Sequence, residues 1–300
     1  MQRTTLHSGC KVNLYLRVGP KKPSGMHDID SLFLPLAVPC DSITLSPPLP
    51  GNSGVHVRFM DAAGMALTDI DSQRNTLAKA WQWFFRTSGF ALPLSIQVRK
   101  EVPRGAGLGG GSANAAALLL FLYNAAKEQN VSLPHWELFC QGSAAIGADV
   151  PFFLFNRPAR AQGVGEQLCA CAPPFAGHHL LLVCPDIHIN TAWAFAELDR
   201  HRSSAKALVA PPACQQPSDF CNDFEEVIFS HYPALGQLHA ELAASGAVLA
   251  RMSGTGASLF ALYADKKNAC DMQKALVRRA MSVYMHPLPQ HYGAATRAGV

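Results

Sequence analysis

Pro103-Arg104-Gly105-Ala106-Gly107-Leu108-Gly109-Gly110-Gly111-Ser112-Ala113-Asn114 is the stretch on which the reading of this chain turns. It follows a strand-like run, Leu94 to Lys100, and opens a long Ala/Leu helix. Glycines let backbone approach an anion closely and aim N–H groups inward. A helix N-terminus adds unpaired N–H groups and about half an elementary positive charge. The segment therefore predicts a phosphate cradle. A flexible glycine turn is the plainer reading, and the strand before and helix after weigh against it. No Gly-Lys-Ser/Thr closes the loop, which excludes a Walker A site. Gly105, Gly107 and Gly110 fit the dinucleotide spacing, but Glu128, the acid at the required offset, ends the same helix instead of a second strand.

Outward from the loop, Val12, Leu14, Leu16 and Val18 alternate with Lys11, Asn13, Tyr15 and Arg17, predicting a strand with apolar residues on one face. Leu32–Val38, Ser42–Leu45 and Val55–Phe59 read as further strands, and Asn75–Phe85 as a helix. A helix near Pro134–Ile146 leads into Gly147-Ala148-Asp149-Val150-Pro151 and an expected strand, Phe152–Phe155. Prolines and glycines cluster between Arg157 and Gly177, where a domain boundary is expected, giving units 1–168 and 169–300. Leu180–Cys184 and Leu259–Tyr263 read as strands of the second unit. Helices are expected near Ala192–Leu198, Phe224–Phe229, Ala234–Ser245 and Ala269–Met281, and an irregular tail from Pro287. Mixed elements in two halves make the fold α+β.

Of the 300 residues, 49% are hydrophobic and 15% charged, which excludes wholesale disorder. The formal charge of +4 suits anionic small substrates, and no basic run argues for nucleic acid. The N-terminus lacks an apolar signal core, and Ala113–Ala126 is too short and too broken to span a bilayer, so no membrane association and a cytoplasmic location are expected. The nine cysteines then read as reduced thiols. Cys169-Ala170-Cys171 invites a metal reading, but no second Cys/His pair lies at ligand spacing.

The loop Pro-x-Gly-x-Gly-Leu-Gly-Gly-Gly-Ser resembles the phosphate motif of the galactokinase, homoserine kinase, mevalonate kinase and phosphomevalonate kinase superfamily, the GHMP kinases. The likeness sharpens towards its branch acting on a cytidine diphosphate sugar alcohol in non-mevalonate isoprenoid synthesis. That branch's motifs recur in order: Lys11-Val12-Asn13-Leu14, Gly25-Met26-His27, the glycine loop, Gly147–Pro151, Gly163–Glu166, Asn222–Glu225 and Ser253–Ala257. Two departures stand out. Ser24 and Met26 replace the branch's Asp and Tyr, and Ala113 replaces a Ser beside the phosphates.

The resemblance implies an N-terminal ATP-binding domain with a left-handed βαβ crossover and a ferredoxin-like C-terminal domain. It implies phosphorylation of the acceptor's 2-hydroxyl, with Asp149 as base and Lys11 as its partner. Alone, an aspartate in a turn is usually structural, and a lysine on a strand face usually solvated. Pro151 is expected to hold Asp149 out of helical geometry. Pro103, Arg104, Gly105, Ala106, Gly107, Leu108, Gly109, Gly110, Gly111, Ser112 and Ala113 would wrap ATP, with Asn75 and Lys100 at the adenosine and Ser112 near Mg²⁺. Asn13, His27, Thr191, Phe195, Gly254, Thr255 and Gly256 would bind the acceptor, His27 reading the cytosine edge and Phe195 stacking on the base. A monomer or weak homodimer is expected. A sister kinase on another alcohol or acid, and a non-catalytic nucleotide-binding module, are the alternatives. Gly107→Val is expected to weaken ATP binding without unfolding the chain.

Overall fold

The computed structural model describes residues 2–48, 51, 53–202 and 219–291. Its spine is an antiparallel pair, β1 (Thr4–Lys21) and β2 (His27–Ser46). The expected break in β2 is a bulge and not an end. Residues 37–40, with Pro39 among them, fall between the pairs Cys10↔Leu36 and Ser8↔Asp41, where the ladder lapses and a missing N–H costs nothing. The other edge of β2 takes two partners in turn, β5 (Ala159–Gln162) near Leu32 and β4 (Leu94–Arg99) near Thr44. β3 (Val55–Met60) lies parallel to β4 across helix α1 (Thr76–Ser88), and β6 (Gln167–Ala170) pairs with β5 to complete six strands. Thus β5 and β6 occupy a segment that composition marks as a linker. The first sheet runs to Ala170, two residues past the expected boundary at 168.

One face of this sheet is covered by α1, α2 (Gly110–Glu128), α3 (Trp136–Gly142) and α4 (Val150–Phe155), with Leu77, Phe84, Leu118 and Phe139 in the core between. The strand expected at Phe152–Phe155 is therefore helix α4. Pro151 sits in its first turn, where a missing N–H has no intrahelical partner to lose. Asp149 precedes that helix with right-handed helical angles, φ −83° and ψ −9°, so the proline does not exclude them two residues upstream.

The second half runs β7 (His179–Cys184), α5 (Thr191–His201), α6 (Glu225–His231), α7 (Pro233–Ala244), β8 (Leu249–Met252), β9 (Leu259–Tyr263), α8 (Lys266–Arg278) and β10 (Ser282–Pro287). Its antiparallel order, β10-β7-β9-β8, is that of a split βαββαβ unit, the ferredoxin-like arrangement. β8 and β10, absent from the sequence reading, complete the sheet. Along β7, Leu180 and Leu182 face the first sheet's Val12, Leu14 and Leu34, whereas Leu181 and Val183 join the core under α5–α8. The layers are helices, sheet, sheet, helices.

β1 crosses both halves. The Leu16 N–H donates to the Cys221 carbonyl at 2.8 Å and the Asp223 N–H to the Leu16 carbonyl at 2.9 Å. The simple alternation expected of β1 fails at the bulge between Asn13 and Tyr15, after which Tyr15 turns to the inter-sheet core and Leu16 to the second-half core. No helix among the described residues is long and apolar enough to cross a membrane.

Asp41, on β2, is wholly buried. Its carboxylate pairs with Lys100 and accepts the N–H groups of Glu101 and Val102 at 2.8 and 2.9 Å, fixing the chain's entry into the glycine loop. Asp41→Ala would leave the Lys100 ammonium buried and alone, a loss of about 3–5 kcal/mol. Urea denaturation should show the midpoint falling accordingly, and an unchanged midpoint would refute the assignment.

Candidate active site

A cleft of about 850 Å³ opens where the glycine loop, β1, the turn before α4 and α5 converge. Gly105, Gly107 and Gly109 hold φ of +60°, +73° and +71°, conformations open chiefly to glycine, and this curls the loop around the start of α2. The first helical hydrogen bond is Ala113 N–H to the Gly109 carbonyl at 3.0 Å, so the N–H groups of Gly110, Gly111 and Ser112 lie ahead of it, uncapped by any side chain. The Ser112 hydroxyl lines the cleft without a hydrogen-bond partner among the described residues. Ala113, by contrast, is buried in the helix core, and Pro103, Ala106 and Leu108 line the cleft wall.

Lys11 and Asp149 meet across the mouth of this loop. Lys11 Nζ lies 3.7 Å from Asp149 Oδ2, donates to Asn13 Oδ1, and stands 4.9 Å from the centre of the Phe33 ring. Lys11 is only 4% exposed, so it is no solvated strand lysine. Asn13 in turn donates to Ser31 Oγ at 2.8 Å, while its backbone N–H meets Ser253 Oγ at 3.2 Å. The Asp149 carboxylate accepts no hydrogen bond among the described residues, and its side chain is 28% exposed towards the cleft. The chain thus clamps the ammonium and leaves the carboxylate free to accept.

The second glycine turn, Ser253–Ala257, backs directly onto the first. A Cβ on Gly107 would stand 2.0 Å from the Ser253 carbonyl oxygen, and one on Gly254 would stand 3.1 Å from Gly107 Cα. Asn222 donates to the carbonyls of Met252 and Gly254 at 2.7 and 2.8 Å, and Glu225 accepts the Met252 N–H at 2.7 Å. Burial pushes the Glu225 carboxyl up from its ordinary value. The Asn222–Glu225 motif is therefore a brace for this turn, a role its sequence does not announce.

Two residues expected at the adenosine line the cleft and also make contacts within the protein. Asn75 caps α1, its Oδ1 accepting the Ala78 N–H at 3.0 Å and its Nδ2 donating to the carbonyls of Asp71 and Ser72. Lys100 is held by Asp41, with its Nζ about 3.5 Å from where a Gly110 Cβ would be, beside the first turn of α2. Both line the cleft, Asn75 as the cap of α1 and Lys100 as a charge fixed beside the glycine loop. Arg104 pairs with Asp69, which raises the guanidinium pKa and lowers that of the carboxyl.

At the far end, His27 and Phe195 stack on one another, ring centres 5.1 Å apart and planes 29° apart, and Phe195 meets Phe224 edge-on. Met26 is half exposed beside them. Thr191, the first residue of α5, shares a hydrogen bond of 3.3 Å with Thr255. Gly254 and Thr255 line the cleft, while Gly256, at φ +87°, turns inward against Met252 and Ile189.

The sequence compares with known proteins along the same lines. Residues 75–157 match the GHMP kinases N terminal domain and 209–283 the GHMP kinases C terminal domain, so fold and site together define an ATP-dependent phosphotransferase of the GHMP kinase class. The 4-diphosphocytidyl-2-C-methyl-D-erythritol kinase of Nitratidesulfovibrio vulgaris is 40% identical, the match spanning 95% of this chain and 98% of that one. That of Solidesulfovibrio magneticus is 35% identical over 96% and 98%. A crystal structure of 4-(cytidine 5'-diphospho)-2C-methyl-D-erythritol kinase superposes with a TM-score of 0.70 at 26% identity, covering 94% of this chain and 98% of that one. The chain belongs to the 4-diphosphocytidyl-2-C-methyl-D-erythritol kinase family.

The packing of the two turns changes what Gly107→Val should do. The added branches would meet the Ser253 backbone and not open space, at a φ of +73° that valine resists. The substitution should lower stability by about 1–3 kcal/mol or more and weaken ATP binding with it. Thermal melts with and without ATP would read both, and a variant melting like the parent would refute the contact.

Proposed function

We propose that the enzyme transfers the γ-phosphoryl group of ATP to the 2-hydroxyl of 4-diphosphocytidyl-2-C-methyl-D-erythritol, the molecule in its relatives' names. The observation that carries the reading is one cleft holding a lysine–aspartate pair opposite the uncapped start of α2.

Phosphoryl transfer asks for alignment and for positive charge around the moving group more than for covalent help. The N–H groups of Gly110, Gly111 and Ser112 receive phosphate oxygens, and Lys100 adds fixed charge beside them. The Asp149 carboxylate, which accepts no hydrogen bond among the described residues, accepts the hydrogen of the acceptor hydroxyl and takes the proton as that oxygen bonds the γ-phosphorus, whose bond to the bridging oxygen breaks to release ADP. Lys11, clamped by Asn13, keeps a positive charge at the point of transfer. Asn13 serves chiefly to aim Lys11, since its amide oxygen and one amide hydrogen are already engaged.

Mg²⁺ fits this site as a companion of ATP. Among the described residues no group of three or more His, Cys, Asp or Glu could cage it. The Ser112 hydroxyl and the Asp149 carboxylate are the oxygens beside the loop that would reach it, an arrangement suited to an ion held mainly by phosphates and water. When bound, it neutralises phosphate charge. Arg104, Phe59 and Ile70 flank the nucleotide end, while Met26, His27, Thr191 and Phe195 form the cytidine end. A cytoplasmic location agrees with the eight described cysteines all being free thiols.

Asp149→Asn should cut kcat by about 10²–10⁴-fold and leave the Kd for ATP unchanged. Turnover near that of the parent in a folded variant would exclude Asp149 from the chemistry. Phe195→Ala should raise the acceptor KM by about 5- to 150-fold, the equivalent of one lost base stack. The KM for ATP should hold steady in the same steady-state assay, and a shift in both constants would argue against a separate acceptor end.

A further inference from the structure

α5 carries Phe195 and Asp199 four residues apart, on one helix face, and both line the cleft with Lys21, Met26 and His27 opposite. The two oxygens of Asp199 do different work. Oδ2 lies 3.2 Å from Lys21 Nζ, and Oδ1 lies 3.4 Å from His27 Nε2. The other nitrogen of His27 is taken: Nδ1 stands 3.0 Å from the Gly19 carbonyl, which can only accept, so Nδ1 carries the hydrogen. In the neutral ring Nε2 is then an acceptor. It faces a second acceptor, Asp199 Oδ1, at the base-sized end of the cleft, one helical turn from the aromatic ring.

Two acceptors set side by side call for a group that brings two hydrogens. An exocyclic amine on a flat ring does so, and a carboxylate is a good partner for the N4 amine of cytosine. A ring carbonyl at the same point would confront both acceptors with a third. We infer that Asp199 is a specificity-determining residue of this enzyme: its Oδ1, with His27 Nε2, accepts the hydrogens of a pyrimidine's exocyclic amine and so selects cytosine over uracil. This rests on the cytidine reading given above. His27 then contributes one acceptor of a pair, and not the whole of the base readout.

The test compares the cytidine acceptor with its uridine counterpart in the parent enzyme and in Asp199→Asn. Asparagine keeps the shape but offers a uracil carbonyl a donor. The parent's cytidine-to-uridine ratio of kcat/KM should fall about 5- to 150-fold in the variant, with the KM for ATP unchanged. A residue that merely supported the pocket would weaken both acceptors alike, and an unchanged ratio overturns the assignment. Calorimetry with CDP and UDP as probes gives a second, independent reading. The parent should bind CDP more tightly, the variant should narrow the gap, and equal affinities in the parent overturn the inference without any variant. Failure of the parent to phosphorylate the cytidine acceptor would instead overturn the proposed function, and CDP against UDP binding would still decide the role of Asp199.

Discussion

The contact on which everything else is built is between two pieces of bare backbone. Gly107 and the Ser253–Gly254 peptide meet with no room for a single side-chain carbon. One turn belongs to the first half of the chain and the other to the second, and Ser253 Oγ bonds both the Asn13 N–H and the Gly107 carbonyl. Lys11 also gives its backbone N–H to the Leu108 carbonyl at 3.0 Å. The glycine loop, the clamped lysine and the second turn are therefore one hydrogen-bonded object. Asn222 and Glu225 hold it from behind, and Asp41 anchors its entry.

The electrostatics follow a matching economy. Four cations line the cleft, and each has a carboxylate: Lys11 with Asp149, Lys21 with Asp199, Lys100 with Asp41 and Arg104 with Asp69. The Lys100 pair is buried and fixed, so its charge is pre-aimed at the start of α2. The Arg104 and Lys21 pairs are open to water at the two ends, where screening makes them weak and easily exchanged for a ligand's anion. The cleft thus folds with a carboxylate beside each of these four cations, which on the proposed reading leaves positive charge to be released locally when phosphates arrive.

Much of this was legible in the residues. The glycine loop, the Lys11 and Asp149 motifs and the α+β character each rest on short local patterns, and local patterns survive into the fold. What could not be read depended on partners far along the chain. Asp41 looks like any polar residue near a strand break until Lys100, 59 positions away, is brought against it. Asn75 carries the signature of a helix cap and makes one, and it also lines the cleft to which the family likeness assigned it. The alternation in β1 was sound up to Asn13 and failed at a bulge that period-two reasoning cannot see. Phe152–Phe155 is apolar and short enough for either state, and only the proline at the start of the segment favoured the helix. Asp199 needed its helix phase relative to Phe195 before it could be noticed at all.

The placement of α5 bears on how such enzymes diversify. The groups proposed to move the phosphoryl group sit on β1, α2 and the turn before α4, whereas Phe195 and Asp199, proposed to face the acceptor, sit on one eleven-residue helix that meets the second turn through its first residue, Thr191. Its start is set by Asn190, whose side chain accepts the Trp193 N–H at 3.0 Å, and its buried side by Ala194 and Leu198. Asp199 has neither duty, while Phe195 also packs edge-on against Phe224. On the proposed reading, substitutions there would re-tune which base is admitted while leaving the transfer chemistry intact, so that a lineage could acquire a new metabolite by editing one half-buried stripe of one helix.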